Sequence, residues 1–545
     1  MTLKLKTFFN SHRHTLLAFT LFGALVIIDS WSLLTHLSEV LIGIDNDVFI
    51  NPWADWWTAK ALRDPQLTLW HTNYLFYPQG ASLIYHSFSH LNTTISLLLQ
   101  TFLDPISAYN LAILFNYVLA GLATFQLTRY LTHSTIAALL AGIVFTFNTH
   151  AIYQSAHPVL VSIWCIPWFT LYFMRAVYEN KKVYAFTAAV FYFLAAFASI
   201  LLFIITSLWI VALTAYLFFS LGRTSFPYRI LLFFGCISFL LIFPLIYPLV
   251  SYSLNQGQSN FIIAAATTWP SDLAAFITPP WIKWTPRDIY LGLSVVFFLL
   301  VTRPRARWWW AIFVVTFLIV IGPQPKWAGQ PLNVYLPWSD PIISLLRHAH
   351  RLNILLSFFL SILVGYGWVS LERRLKVHIQ HPIAAPLVGL VLILLIYIDY
   401  TTYPFPVRAF QVSTFYTSFL SEIPDDIALA TVPFERQKDK QYLFYQSFHH
   451  HPITGGVISR PIPGTYAFIL GNPLLKVGAS NSPVPSLPID LEQEMATLAQ
   501  AHIGYLVLHK DLMRGSQVDA WRVALPMVPV FEDEQLIAYA IESPH

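Results

Sequence analysis

The run from Val183 to Gly222, VYAFTAAVFYFLAAFASILLFIITSLWIVALTAYLFFSLG, contains no Asp, Glu, Lys or Arg. A helix crossing the hydrocarbon core of a bilayer needs about 20 apolar residues, so this run is about two crossings long. Lys181 and Lys182 precede it, and Arg223 and Arg229 follow it. Lys and Arg concentrate at the cytoplasmic ends of spans, so both ends of the run face the same side. The spacing predicts two helices joined by a tight hairpin near Ser199.

The same pattern extends in both directions. Only 11% of the residues are charged, 56% are hydrophobic and 16% aromatic, whereas about a quarter of a soluble domain is charged. The chain is a polytopic α-helical membrane protein. Spans are expected at 15–35, 106–129, 135–152, 158–176, 183–200, 202–221, 230–251, 289–302, 308–322, 350–370 and 384–403, about eleven in all. Two of them, 289–302 and 308–322, are short enough to be tilted or broken. Leu91 to Leu103 reads as an interfacial or re-entrant helix, because counting it as a span would invert the basic loops after it.

Lys4, Lys6 and Arg13 precede the first apolar stretch, which is too long for a signal peptide and lacks a small-residue cleavage site, so an uncleaved span with a cytoplasmic N-terminus is expected. The inner connections then carry Arg129; Arg175, Lys181 and Lys182; Arg223 and Arg229; Arg303, Arg305 and Arg307; and Arg373, Arg374 and Lys376. An odd number of spans places the residues after about 404 outside the cytoplasm. The net charge of +4 is dispersed in these short clusters, which excludes a nucleic-acid footprint. Cys165 and Cys236 both lie in apolar runs, so neither a disulfide framework nor a cysteine metal site follows. The chain holds no Walker motif, Gly-rich phosphate loop or Ser-His-Asp ordering, which argues against an ATP-driven pump.

Three outer loops of domain 1–404 are long: 36–105, 252–288 and 323–349. Loops of that length are uncommon unless they act as lids or binding elements. They contain Trp53, Trp56, Trp57, Trp70, Trp269, Trp281, Trp284 and Trp338, which read singly as headgroup anchors and together as the cover of an outer cavity. The segment 405–545 gathers most of the acidic residues and reads as a small extracytoplasmic α/β domain. Its strands are expected at Ile427–Pro433 and Gly504–Leu508, a helix at Asp490–Ala501, and a hairpin over Val528–Ile541 that turns at Glu532-Asp533-Glu534.

Candidate chemistry opens the first outer loop. In Gly43-Ile44-Asp45-Asn46-Asp47, two carboxylates two positions apart near a membrane surface can hold a divalent cation such as Mg or Mn. One of them can instead serve as a general base, and the triplet is equally good turn chemistry. His86 and His90, four apart, would share a helix face and could ligate metal or simply bond to neighbours. Asp272, in Trp269-Pro270-Ser271-Asp272-Leu273, reads as a helix cap or as a site residue. Arg347 and Arg351, also four apart, stand at the outer start of a span; they could grip phosphate or snorkel to headgroups. His449-His450-His451 reads as a surface or interdomain motif, since adjacent histidines on an extended segment point apart.

Several local patterns resemble one known group. They are Asp47 leading to Trp53 and Trp57; Tyr77-Pro78-Gln79-Gly80; Ala108-Tyr109-Asn110-Leu111; and His157-Pro158 leading to Trp164 and Pro167. Another is Arg347-His348-Ala349-His350-Arg351 entering Gly365-Tyr366-Gly367. Together with the order of parts, they resemble the bacterial integral-membrane glycosyltransferases of the C superfamily (GT-C), and among these the YfhO-like proteins. The segment before Arg351 holds His350 where those proteins usually have Pro. The resemblance implies transfer of a sugar from a polyprenyl-phosphate lipid to an extracytoplasmic acceptor, with Asp47, then Asp45, as base or metal partner. It also implies a substrate site drawing on Arg351, Arg347, His86, Asp272, Trp53 and Trp57. The rival classes are a transporter or flippase for lipid-linked glycans, which would place ionisable residues near the midplane, and a non-catalytic envelope assembly factor.

Overall fold

The computed structural model describes residues 2–255, 272–280, 282, 290–337, 348–378, 381–402, 404–461, 464–478 and 490–541, with backbone only for 2–12, 255 and 349. Trp269, Trp281, Trp284, Trp338 and Arg347 lie outside the described residues.

The helices that matter for the fold, in chain order, begin with α1 (Thr2–Asp29), α2 (Ile50–Arg63), α3 (His90–Leu99), α4 (Pro105–Thr132), α5 (Thr135–Thr146) and α6 (Cys165–Glu179). They continue with α7 (Lys182–Ala198), α8 (Ile200–Leu221), α9 (Tyr228–Asn255), α10 (Leu293–Thr302), α11 (Arg307–Val320), α12 (Asn353–His378) and α13 (Ala384–Tyr400). Among the described residues six helical stretches are long and apolar enough to cross a membrane: 105–132, 135–156, 158–179, 200–221, 228–254 and 350–378. Four shorter apolar helices, α7, α10, α11 and α13, accompany them. The chain is a multi-pass membrane protein, and each expected span falls on one of these helices or on α1. At ten residues, α3 is too short to span.

The hairpin at Ser199 forms as its sequence dictates. Ser199 is extended between α7 and α8, and its hydroxyl accepts from the Leu202 N–H at 3.0 Å, capping the second helix. Along the chain, the apolar faces divide into inner and outer helices. The windows in 105–132, 135–156, 158–179 and 350–378 are 72–83% buried, against 39% for 200–221 and 22% for 228–254. The well-buried helices pack through small residues: a Cβ at Gly365 would stand 2.5 Å from Thr128 Cγ2.

The chain forms two compact units: residues 1–44, 89–99 and 107–407 in the first, and 45–88, 100–106 and 408–545 in the second. Within the first unit the basic helix ends meet one another. Arg374 at the end of α12 donates to the Val301 and Thr302 carbonyls at the end of α10, at 3.2 and 3.3 Å, and Ser134 before α5 donates to Glu372. At the opposite helix ends Thr149 bonds to Tyr290, Tyr290 to Asp399 at 2.6 Å, and the His150 and His350 rings lie 6.3 Å apart. Asn110, fully buried in α4, holds the chain after α1 by donating to the Leu37 and Val40 carbonyls and accepting from the Ile42 N–H.

The second unit centres on a four-stranded sheet. Its strands are β1 (Ala428–Val432), β2 (Ile503–His509), β3 (Phe531–Glu532) and β4 (Leu536–Ala540), in the order β1-β2-β4-β3. β1 runs parallel to β2, pairing Leu429 with Tyr505 and Val432 with Leu508; β4 runs antiparallel to both β2 and β3. The parallel pair needs a crossover, which carries α14 (Arg436–His449) and α15 (Leu491–Gln500); α16 (Gly515–Ala524) follows β2. Every residue of β1 is buried, and Ala430, Val432, Leu498, Leu506, Leu508, Trp521 and Ile537 form the core. The expected strands, the α15 helix and the hairpin all form. The expectation of an extended histidine tract does not hold. α14 runs through His449 and ends at His450 in the left-handed region (φ 65°), and His449 and His451 are buried rather than on the surface.

Candidate active site

The acidic triplet folds as a single turn in which the two aspartates have different tasks. Asp45 is the N-cap of a 3₁₀ turn over Asn46–Phe49, and its carboxylate accepts from the Asp47 N–H at 3.2 Å. With Asp45 capping the turn, the Asp47 carboxylate meets a side chain. It forms an ion pair with Lys440 from the second turn of α14. Lys440 is only 7% exposed and Asp47 about 30%. A buried ammonium with no counter-charge is strongly unfavourable, so Lys440 needs Asp47 more than Asp47 needs Lys440. Lys440 also donates to Gln437 Oε1 at 2.7 Å.

Around this pair, α2 and α14 pack through aromatic rings. Phe49 lies 5.4 Å from Phe444, and Trp56 stacks on His450 at 5.5 Å. Trp53 and Trp57, expected as interfacial anchors or substrate contacts, are fully buried and stack on one another at 6.2 Å. The Trp53 N–H donates to Gln446 Oε1 at 2.7 Å, and the Gln446 amide donates to the Tyr74 and His451 carbonyls. The loop completes the layer by pairing with the segment after α14: Ile453 donates to Tyr74, Tyr77 to Ile453 and Phe76 to Gly455. Gly80 closes this turn at φ 70°, where a Cβ would stand 2.7 Å from the Thr72 carbonyl.

His86 is buried within this unit, edge-on to Trp53 at 5.8 Å and to Phe88 at 4.9 Å. Neither ring nitrogen has a hydrogen-bond partner among the described residues. The Trp57 N–H is likewise buried without one. Burial, then the nearby Arg436 charge, lower the His86 pKa to about 4, with Asp47 acting in the opposite sense, so the imidazole is neutral at pH 7. Burial holds Asp439, at the start of α14, at about 8 against the pull of N–H groups from Glu435 and Gly456. His86 and His90 do not share a helix face as expected, because α3 begins at His90.

Asp272, in the first unit, is a cap and a brace. Its Oδ1 accepts from Ala274 N–H at 3.0 Å and Ala328 N–H at 2.9 Å, and its Oδ2 from Gly329 N–H at 2.6 Å. Arg351, also in the first unit, is half-buried in a 3₁₀ turn over Ala349–Leu352 that leads into α12.

A divalent cation at Asp45 and Asp47 fits this arrangement poorly. One oxygen of Asp45 is occupied by the turn and Asp47 by an ammonium. A dication on Asp47 would stand about 4 Å from that ammonium, where the repulsion is on the order of 8 kcal/mol, twice that of a unit pair near a protein surface. Among the described residues no group of three His, Cys, Asp or Glu is placed to hold a metal. Lys440, Arg436 and Gln446 escaped the sequence reading. The signal available was a charged first turn followed by aromatics at helical spacing, which puts Arg436 and Lys440 on one face of α14.

No family model and no curated protein matches the chain. Solved structures do. The arabinofuranosyltransferase AftD from Mycobacteria is 16% identical with a TM-score of 0.53, over 98% of this chain and 42% of its own. ArnT from Cupriavidus metallidurans is 10% identical with a TM-score of 0.51, over 96% of this chain and 98% of its own. The archaeal oligosaccharyltransferase AglB from Archaeoglobus fulgidus is 11% identical with a TM-score of 0.47, over 92% and 70%. The likeness is one of fold: this chain has the membrane fold of AftD and ArnT, the GT-C fold.

Proposed function

We propose that the chain is a membrane glycosyltransferase that moves a sugar from a polyprenyl-phosphate donor to an acceptor outside the cytoplasm, with Asp47 as the general base. The supporting observation is the Asp47 carboxylate itself, ion-paired with Lys440 while Asp45 caps the turn, in the same unit as a buried imidazole that has no hydrogen-bond partner among the described residues. In the reaction, an acceptor hydroxyl oxygen bonds to the anomeric carbon as the bond to the donor phosphate breaks. The phosphate leaves with the electron pair, Asp47 takes the hydroxyl proton, and a single displacement inverts the configuration. Arg351, with Arg347, is assigned to the donor phosphate because forked guanidinium donors match its oxygens. His86, neutral at pH 7, is assigned to the sugar hydroxyls. Trp53, stacked on Trp57, is assigned to supporting His86 and Gln446, and Asp272 to bracing a loop rather than to substrate. The N-terminus and the basic helix ends are cytoplasmic in this reading, and the second unit faces outward, among membrane lipids and acceptor.

The test is transfer from radiolabelled polyprenyl-phosphate sugars by the purified full-length protein in lipid nanodiscs. Transfer by the wild type and its loss in Asp47→Asn, with unchanged folding, is expected. A wild type inactive with every donor rejects the reading, and an active Asp47→Asn removes Asp47 from the mechanism.

A further inference from the structure

Lys440 is an unusual residue to find beside a carboxylate that serves as a base. A lysine side chain ordinarily keeps its ammonium in water, yet this one is 7% exposed and directed at Asp47. An ammonium has three N–H donors. One faces Asp47 and one Gln437, and the third has no partner among the described residues. Arg436 lies one helical turn earlier on the same face of α14, donates to the Ile458 carbonyl at 2.9 Å, and is close enough to His86 to be felt electrostatically, as is Asp47. Positive charge is thus built into the second unit near Asp47 by α14.

We propose that the Lys440 ammonium replaces a divalent cation at Asp47: it fixes the carboxylate and offers its remaining N–H to a phosphate oxygen of the donor, so that transfer needs no metal. This rests on the transferase reading. It goes beyond that reading by placing the leaving-group charge on a residue of the C-terminal segment and by excluding Mg and Mn from the site. A fixed ammonium stabilises the departing phosphate as a metal would, without a coordination shell to assemble.

The experiment uses the full-length protein in nanodiscs after metal stripping with EDTA, and reads both transfer and Mn²⁺ binding by electron paramagnetic resonance. Wild-type transfer should change less than about twofold with EDTA, Mg²⁺ or Mn²⁺, and wild type and Asp47→Asn should bind Mn²⁺ equally. Lys440→Ala should lose transfer by roughly 100-fold or more, as removal of one preorganised charge-stabilising donor does, and Lys440→Arg should restore part of it. The proposal is overturned if EDTA abolishes wild-type transfer and Mn²⁺ restores it, if Asp47→Asn removes a Mn²⁺ site from the wild type, or if folded Lys440→Ala transfers normally. The first two results leave the transferase reading intact. A wild type that transfers from no donor, with or without metal, rejects the transferase reading, while the Mn²⁺ comparison still decides whether Asp47 takes a cation. If Lys440→Ala fails to fold, Lys440→Arg and the wild-type arms decide.

Discussion

Asp47 and Asp272 belong to two different loops and are both associated with a 3₁₀ turn, yet they satisfy their charge in opposite ways. Asp272 spends both oxygens on backbone N–H groups of two loop segments, at 2.6 to 3.0 Å. Asp47 leaves the turn to its neighbour Asp45 and meets a side-chain ammonium. A carboxylate bound by backbone cannot change partners without melting the turns it joins. One bound by a lysine side chain can accept a proton from a third party while the backbone turns stand. The difference between a brace and the base proposed here is therefore set by who supplies the hydrogen bonds, not by the acid.

Substitutions can break this contrast. Asp47→Asn should lower sugar transfer by about 10²- to 10⁴-fold, the usual range for a lost general base, whereas Asp272→Asn should leave transfer per folded molecule within a few fold. For stability the order reverses. Asp272→Ala strands the N–H groups of Ala274, Ala328 and Gly329, and should cost about 3 kcal/mol in thermal denaturation in detergent. A double-mutant cycle of Asp47→Asn and Lys440→Met should give a coupling of about 1–3 kcal/mol; zero coupling would show that the pair is not formed.

His86 sharpens the Asp47 side of the comparison through pH. The unfolded chain takes up a proton near 6.5 that the folded chain refuses until about 4. The stability this group contributes is therefore complete above 6.5 and is lost as pH falls through that window. Between pH 7 and 4.5 the wild-type midpoint should fall by a few degrees more than that of His86→Gln, and parallel curves would refute a buried neutral His86. The smallest effect belongs to the Asp272 side. Gly329 holds φ 83° in open space, so Gly329→Ala should cost about 1 kcal/mol through backbone strain alone.

Much of the fold was legible because lipid imposes simple rules. The hairpin at Ser199, the helices on each expected span and the strand pattern of β1, β2 and β4 follow from apolar run length, basic flanks and capping chemistry. The site was legible in part. Asp45-Asn46-Asp47 declared a turn and a pair of acids, and Asp272 declared a cap, but neither stretch says which acid is spent on backbone. The histidine tract misled because three adjacent imidazoles suggest a surface motif, while the helix that ends among them is specified by residues upstream.

The sequence by itself determined the solvent of each segment, since hydrophobicity and charge act over a helix length and need no partner to be read. Only the tertiary structure decided that α14 brings Lys440 to Asp47, buries Trp53 and Trp57 and leaves His86 without a hydrogen bond among the described residues. Those facts depend on segments far apart in the chain, and an ion pair or an orphaned imidazole exists only once both sides have been folded into place.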